Sequence, residues 1–539
     1  MTAAPRWDAI VIGSGFGGAM AAHALVHAGW HVLMLERGSW VARGPENWGP
    51  KGAGLVTPHY STEAAYRVAS GGRRYETGAW HCVGGASVFY GGASFRYRER
   101  DFEADPHIVG DSGAAWPFAY DDLEPYYGHA ESLLGVAGET GADPTEPWRS
   151  APFPHRPTQM PPSSTRIAEA ARRAGLHPSR IPLAISYGDA ESGRRCISCD
   201  RCDGYACAAE AKNDIATGIL PELQRNGLAL RPNTVVVRLV RERTRISGVE
   251  YVDRVTGERG LLTSRVVVLA AGALASPHLL LASGLDAVSS APHAVGRYLV
   301  RHRNRVVFGV YLRPPNPERA FDKHVAIHDL YNGAPGIAGA PEGPLGGIQQ
   351  LTPPAGLVRA YLPPVVRIPA ARLVSHATGL LVIAEDQPRQ SNGVSLHRTE
   401  RDRYGLPRLE VRHEYTSRDE RSAGALVTAA RSVLREAEAP FIYVHDISTF
   451  SHALGTVRMG PDEHAAPLDA DGRFRGLDNL YVTDGSALPR SAGVNPSLTI
   501  AANALRIGAR LAGSSAHGVS GTQRARRSLP VQHTSYFRR

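Results

Sequence analysis

The 539-residue sequence predicts an α/β protein, α+β overall, in which a parallel sheet flanked by helices is joined to a mostly antiparallel sheet. Two observations carry this prediction. Short apolar, β-branched runs alternate with a helical stretch in the first fifty residues, as in a buried parallel sheet. Residues 305–445 instead alternate polar and apolar positions between Pro-rich breaks. This alternation is typical of antiparallel strands with one covered face.

The first parallel unit surrounds the run Asp8-Ala-Ile-Val-Ile-Gly-Ser-Gly-Phe-Gly-Gly. Its predicted elements are a strand at 10–12, a helix at 19–28 and a second strand at 31–35, with Glu36 directly after that strand. Gly13 permits a tight turn, Gly15 lets a pyrophosphate approach the backbone, and Gly18 allows close packing of helix on sheet. Glu36 can accept a hydrogen bond from a ribose hydroxyl. A Gly-rich turn without a ligand is the alternative, but the complete order of elements favours a dinucleotide site. The motif alone leaves open whether this is FAD or a nicotinamide.

Composition and charge argue against a nucleic-acid-binding protein and against a membrane-spanning one. The chain is 43% hydrophobic and 21% charged and carries a net charge of +9, but residues 513–539 contain five arginines and no acid. Without that Ser- and Gly-rich tail the net charge is +4, so we expect a disordered tail rather than a nucleic-acid partner. No leader pattern and no apolar run long enough to span a bilayer is present, and we expect a cytoplasmic protein without a membrane partner.

The remaining elements follow in chain order. Residues 38–71 are predicted to be irregular, and a strand-like loop at 82–96 contains two Gly pairs that favour close approach of a ligand. Further predictions are a helix within 116–134, a linker at 141–163, strands at 234–240, 248–252 and 264–270, a second tight turn at 271–277 and a helix at 279–281. Strands at 306–312, 379–384, 394–397 and 408–412, a strand from 480 and a closing helix at 500–511 complete the chain.

Four of the five cysteines lie in one short stretch, Cys196, Cys199, Cys202 and Cys207. A zinc or iron–sulfur site is one interpretation of this spacing. Free thiols or one local disulfide in a tight loop is the other. No histidine or fifth cysteine follows at the spacing of a zinc finger, and we expect no metal.

Four separated motifs together resemble the glucose–methanol–choline (GMC) oxidoreductases, a family of FAD-dependent alcohol oxidases and dehydrogenases. They are the first turn with Glu36, the Gly84-Gly85 loop, the segment 271–277, and His452 with Asn495. The resemblance implies a Rossmann-like FAD-binding domain formed by 1–100, 190–300 and 446–512. It also implies a mostly antiparallel substrate-binding domain formed by 101–189 and 301–445.

The resemblance also implies the site residues. Those expected to bind FAD are Gly13, Gly15, Phe16, Gly18, Glu36, Gly84, Gly85, Ser87, Tyr90, Gly91, Val236, Ala271, Gly272, Asp484, Gly485, Asn495 and Pro496. Phe89 stands where some members carry a histidine linked to the flavin, so non-covalent FAD is expected. Tyr90 stands where other members have asparagine.

The resemblance implies that His452 and Asn495 are catalytic. Hydride leaves a carbon more easily when its hydroxyl loses a proton, and a neutral imidazole is suited to accept that proton. The Asn495 amide can hold the same oxygen. We expect His81, Cys82 and His302 to have packing roles only.

The stretch from Cys202 to Asp214 resembles bacterial members that oxidise sugars or tailor aminoglycosides, in secondary metabolism. A sugar, aminosugar or aminoglycoside-like polyol is therefore the expected substrate, with oxygen or another electron acceptor. A sterol or other alcohol is the alternative substrate. A flavin or iron–sulfur electron-transfer subunit is the alternative function.

Overall fold

The computed structural model describes residues 7–49, 52, 55, 57–188, 194–353 and 373–513. The basic tail predicted at 513–539 therefore lies outside the described residues, apart from Gly513. The strands are β1 Trp7–Ile12, β2 Val32–Leu35, β3 Tyr60–Ser70, β4 Arg73–Trp80, β5 Pro178–Arg180, β6 Ala229–Arg231, β7 Thr234–Glu242, β8 Arg245–Asp253, β9 Arg259–Leu262, β10 Ser264–Leu269, β11 Arg303–Val310, β12 Val325–Ile327, β13 Gly346–Leu351, β14 Ala377–Ala384, β15 Gly393–Arg401, β16 Pro407–Arg412, β17 Phe441–Asp446 and β18 Leu480–Val482. The α-helices are α1 Phe16–His27, α2 Pro106–Val109, α3 Tyr120–Leu133, α4 Pro162–Arg173, α5 Ile219–Arg225, α6 Ala275–Ala282, α7 Ser417–Glu436 and α8 Ser497–Leu511.

A five-stranded parallel sheet has the order β18-β10-β1-β2-β6. Its central strand β1 is apolar because both faces are covered, and Ala9 to Val11 are fully buried. Helices α1 and α8 pack together on this sheet, and a Cβ on Gly508 of α8 would lie 2.8 Å from the carbonyl oxygen of Ala21 in α1. The last described helix is therefore held against the first one, although the two are almost 500 residues apart in sequence.

A six-stranded sheet with the order β17-β11-β14-β13-β12-β5 is antiparallel throughout, as the alternating pattern predicted. Helices α4 and α7 cover one face of it, and their apolar residues share a core cluster with Val307, Ile348 and Val382. The sequence analysis did not predict α7. Its start is fixed by a capping box in which Thr416 and Asp419 exchange hydrogen bonds.

A mixed four-stranded sheet, β15-β16-β3-β4, differs from the prediction. Residues 38–71 were expected to be irregular, but β3 lies within them and pairs antiparallel with β4 and parallel with β16. The pairing of β3 with β16 joins segments more than 300 residues apart, so no local pattern indicates it, whereas Gly71-Gly72 between β3 and β4 is a local hairpin signal. Strands β7, β8 and β9 form a separate antiparallel sheet. None of the helices within the described ranges has the length and apolar character needed to cross a membrane.

Candidate active site

The turn between β1 and α1 is shaped by three glycines with different surroundings. Gly13 has φ +102°, and a Cβ there would lie 2.3 Å from the carbonyl oxygen of Ala270. A Cβ on Gly18 would lie 1.9 Å from the carbonyl oxygen of Gly13. At Gly15, by contrast, a Cβ would meet no atom within 4 Å. Gly13 and Gly18 are thus required by packing, whereas Gly15 leaves its space open to a ligand.

A cavity of about 320 Å³ opens at the carboxyl ends of β1, β10 and β18. The predicted site residues that line it are Gly13, Gly15, Phe16, Glu36, Gly85, Ser87, Val236, Ala271, Gly272, Asp484 and Gly485. Those that do not line it are Gly18, Gly84, Tyr90, Gly91, His452, Asn495 and Pro496. Ser451 and Ala453 do line it, so the cavity reaches the backbone on both sides of His452. An open glycine, a helix start and a ring of small residues fit a dinucleotide.

Glu36 lies at the end of β2 with both carboxylate oxygens engaged. Oε2 accepts hydrogen bonds from the backbone N–H (3.1 Å) and the hydroxyl (2.6 Å) of Ser14, and Oε1 accepts one from the N–H of Gly38 (2.8 Å). Burial raises the pKa of this carboxyl, and these hydrogen bonds oppose the shift. A carboxylate offers about four acceptor positions. Three donors therefore leave one position for a hydroxyl of a ligand.

Asp484 ties the end of β18 to the second tight turn. Its Oδ2 accepts from the N–H of Gly272 at 2.9 Å and from the hydroxyl of Ser276, and its Oδ1 accepts from the N–H (2.8 Å) and the hydroxyl of Ser486. Four protein donors fill the acceptor positions of this carboxylate. In this structure Asp484 joins the two turns that line the cavity, and its contact with FAD stays a prediction.

The Gly84-Gly85 loop lies directly on the first turn. The N–H of Gly84 donates to the hydroxyl of Ser14 at 2.9 Å, and a Cβ on Gly85 would lie 3.3 Å from Cα of Gly15. Ser87 closes the loop by donating to the carbonyl of Gly84 at 2.6 Å. The two Gly-rich segments therefore approach each other as backbones, which leaves the loop facing the cavity.

The residues after this loop do not line the cavity. Phe89 is buried and stacks on Trp80, with ring centroids 6.0 Å apart. The hydroxyl of Tyr90 donates to the carbonyl of Asn213 at 3.0 Å. A Cβ on Gly91 would lie 1.8 Å from Oδ1 of Asp203. Gly91 is thus needed because a carboxylate packs on its backbone.

His452 and Asn495 both have buried side-chain partners. Nδ1 of His452 lies 3.1 Å from Nδ1 of His302. Oδ1 of Asn495 accepts a hydrogen bond of 2.7 Å from Nε2 of Gln349. Desolvation lowers the pKa of His452 well below its usual range, and the nearby His302 and Lys323 lower it further. His452 is therefore neutral at pH 7, as a base must be.

Sequence analysis missed Gln349 and Lys323, and it expected only a packing role for His302. Lys323 is buried and its Nζ lies 2.6 Å from Oδ1 of Asp203. It also missed the aromatic side of the cavity, where Tyr60, Tyr66 and Trp80 lie, and it expected only packing from His81, which lines the cavity too. Trp80 and His81 shortly precede the Gly84-Gly85 loop, which was an available signal, whereas no motif marks Gln349 or Lys323.

The four clustered cysteines line a separate, very small cavity of about 10 Å³ and are free thiols. Burial raises the pKa of Cys196 to about 11 and also raises the pKa of Cys199 and Cys202. Among the described residues, no three of these sulfur atoms lie within 4.8 Å of one another. His23, His27 and Glu222 do lie that close, where α1 meets α5, and Nε2 of His27 is 3.3 Å from Oε1 of Glu222.

Comparison with known proteins agrees with this geometry. Two family models, both described as GMC oxidoreductase, match residues 8–304 and 388–504. The chain is 32% identical to the 6'''-hydroxyparomomycin C oxidase of Streptomyces lividus and 32% identical to the paromamine 6'-oxidase of Streptomyces fradiae. Each alignment covers 94% of this chain and 91% of the relative.

More distant relatives show the same architecture. The fructose dehydrogenase large subunit of Gluconobacter japonicus is 24% identical, over 93% of this chain and 96% of that protein. The crystal structure of pyridoxine 4-oxidase from Mesorbium loti superposes with a TM-score of 0.63 at 21% identity, over 95% of this chain and 100% of that one. This likeness shows a shared fold. Because both halves are matched by family models and the relatives align over nearly their whole length, the chain belongs to the GMC oxidoreductase family, whose enzymes use a flavin to oxidise hydroxyl groups.

Proposed function

We propose that this protein uses a non-covalently bound FAD to oxidise a hydroxyl group of a sugar, aminosugar or aminoglycoside-like polyol in the cytoplasm. The observation that carries the proposal is a cavity that fits a dinucleotide and is lined by the residues on both sides of His452, whose ring has a buried partner, as the amide of Asn495 does. The aminoglycoside oxidases at 32% identity support the substrate class. Oxygen or another acceptor reoxidises the cofactor.

Three groups of residues would hold the cofactor. Gly15 and the start of α1 would face the pyrophosphate, Glu36 a ribose hydroxyl, and Gly85 with Ser87 the flavin side. Phe89 supports non-covalent binding, since its buried ring has no atom that could form a bond to the flavin. When bound, the flavin supplies the acceptor for the hydride that leaves the substrate carbon.

The protein supplies the proton acceptor and the positioning of the substrate oxygen. Neutral His452 takes the hydroxyl proton on Nε2, which leaves negative charge on the oxygen; that charge is neutralised as the hydride departs from the carbon and the C=O bond forms. Oδ1 of Asn495 accepts from Gln349, and the NH₂ group of Asn495 would be the donor that holds the substrate oxygen. General acid–base catalysis of this kind contributes about 10²- to 10⁴-fold.

The test is the absorption spectrum of the purified protein, before and after anaerobic addition of sugars, aminosugars, a sterol and simple alcohols. We expect flavin bands that bleach with a sugar or aminosugar, and His452→Ala should retain the bands but not bleach. Denaturation should release free FAD. Flavin reduction at the wild-type rate in His452→Ala would disprove the role of that residue. A broad additional absorption would instead point to an iron–sulfur cluster on the four cysteines, and absence of flavin after incubation with FAD would refute the proposal.

A further inference from the structure

His302 lies directly behind His452, although its sequence context predicted packing only. An antiparallel bridge pairs Val300 with Leu454 through hydrogen bonds of 2.9 and 3.2 Å. In an antiparallel pair, the residue two positions after Val300 therefore lies opposite the residue two positions before Leu454. These residues are His302 and His452, and their rings meet nearly at right angles with centroids 5.1 Å apart.

The hydrogen bonds of His302 determine which of its nitrogens carries the proton. Nε2 lies 2.9 Å from the carbonyl oxygen of Ser491 and 3.0 Å from that of Ala492. Carbonyl oxygens only accept, so Nε2 must be the N–H. Desolvation lowers the pKa of His302 despite the opposing charges of Asp386 and Glu385, so the ring is neutral at pH 7. Its Nδ1 is therefore an acceptor.

This assignment extends to His452. The contact between the two Nδ1 atoms, at 3.1 Å, needs one donor and one acceptor. Since Nδ1 of His302 accepts, Nδ1 of His452 must donate. A neutral imidazole carries a single proton, so Nε2 of His452 is left with its lone pair. That tautomer is the one that can accept a proton from a substrate hydroxyl at Nε2.

The backbone of His302 is held firmly enough to enforce this arrangement. Its φ is +62°, in the left-handed region that a residue with a side chain rarely adopts. Oδ1 of Asp386 accepts its N–H at 2.9 Å, and the hydroxyl of Tyr415 donates to its carbonyl at 2.8 Å. A strained conformation persists only where its surroundings determine it from several sides.

We propose that His302 is a positioning residue that holds His452 in the tautomer with an unprotonated Nε2. The inference rests on the proposed function, in which His452 is the base. The charged and titratable groups that face this pair are Asp386 and Glu385 on the side of His302 and Lys323 on the side of His452.

Two substitutions separate this role from packing. His302→Leu fills a similar space without an acceptor. His302→Asn places an amide oxygen near the position of Nδ1 and so keeps an acceptor for His452. We expect His302→Leu to retain its flavin and KM but to lose about 10- to 10³-fold in kcat, and His302→Asn to recover most of that loss. His413→Leu is the matched control, because His413 bonds the same carboxylate of Asp386 at 3.2 Å.

The direct readout is the ¹⁵N NMR spectrum of the holoenzyme labelled at histidine, with His452 assigned by comparison with His452→Gln. We expect one unprotonated Nε2 signal for His452 in the wild type and in His302→Asn, and its loss or broadening in His302→Leu. Unchanged kcat and an unchanged His452 signal in His302→Leu would overturn the proposal, as would equal effects of His413→Leu. If the wild type reduces its flavin with none of the alcohols, the proposed function fails, while the NMR spectrum still reports the tautomer.

Discussion

Replacing Gly15 and Gly18 separately by alanine distinguishes a glycine that serves a ligand from one that serves the fold. Gly15 is the residue directly before α1, with φ −71° and ψ −167°, an extended conformation that alanine adopts without strain. Its new methyl group would meet no protein atom within 4 Å but would enter the cavity where we place the pyrophosphate. Gly15→Ala should therefore leave the apoprotein as stable as the wild type, or more stable by about 0.4–1 kcal/mol, because the unfolded chain loses freedom.

The added methyl group should weaken the binding of FAD. Forcing one extra methyl group into a close-packed contact costs about 1–3 kcal/mol, which corresponds to a loss of about 5- to 140-fold in affinity for FAD. Gly18→Ala should behave in the opposite way. Its Cβ would lie 1.9 Å from the backbone oxygen of Gly13, which cannot move aside, so the apoprotein itself should be destabilised.

The assay is titration of each apoprotein with FAD by calorimetry, together with thermal unfolding with and without FAD. FAD at 100 times its Kd should stabilise the wild type by about 2.7 kcal/mol, and the same concentration should stabilise Gly15→Ala much less. Wild-type affinity for FAD in Gly15→Ala would refute the assignment of this space to the pyrophosphate. A destabilised Gly15→Ala apoprotein would contradict the open space at Gly15.

Further predictions concern charge, orientation and stability. Lys323→Met removes a positive charge that lowers the pKa of His452, so that pKa should rise and the acidic limb of kcat/KM should move up by about one pH unit, measured in a pH profile. Gln349→Leu frees the amide of Asn495 to rotate, and kcat/KM should fall about 2- to 10-fold in steady-state kinetics while FAD binding stays unchanged. Arg490 donates to both carboxylate oxygens of the buried Glu385, at 3.0 and 3.1 Å, so Arg490→Met leaves this carboxylate without a counter-charge. The protein should lose about 3–5 kcal/mol of stability, seen as a lower unfolding midpoint.

Local patterns were enough to predict the parallel sheet and the glycine turns. Gly13, Gly15 and Gly18 follow a strand and open a helix, and each feature acts on neighbours close in sequence. The start of α7 carried a comparable signal, Thr416 with Asp419 three residues later, followed by apolar residues at helical spacing. That helix could have been predicted, but the alternation of the flanking strands was extended across it.

The tertiary part of the site could not be predicted in this way. His302 is one of 22 histidines, and what distinguishes it is a backbone bridge between segments 150 residues apart. Gln349 lies in β13 and looks from the sequence like any polar residue of a half-covered strand. Both residues act through contacts that form only when the antiparallel sheet packs against the C-terminal segment. The sequence pattern of either segment alone does not predict its contact with the other segment.

The contacts of His302 with His452 and of Gln349 with Asn495 join residues from different parts of the fold. His452 and Asn495 both belong to the C-terminal segment, close to the strand and helix that complete the parallel sheet. Their orienting partners come from the other side, His302 immediately before β11 and Gln349 within β13. In the mechanism that we propose, the parallel sheet places the catalytic side chains, while the antiparallel sheet that we expect to bind substrate fixes the tautomer of His452 and the orientation of the Asn495 amide. Substitutions that shift β11 or β13 should consequently lower kcat even when they touch neither the cofactor cavity nor the substrate.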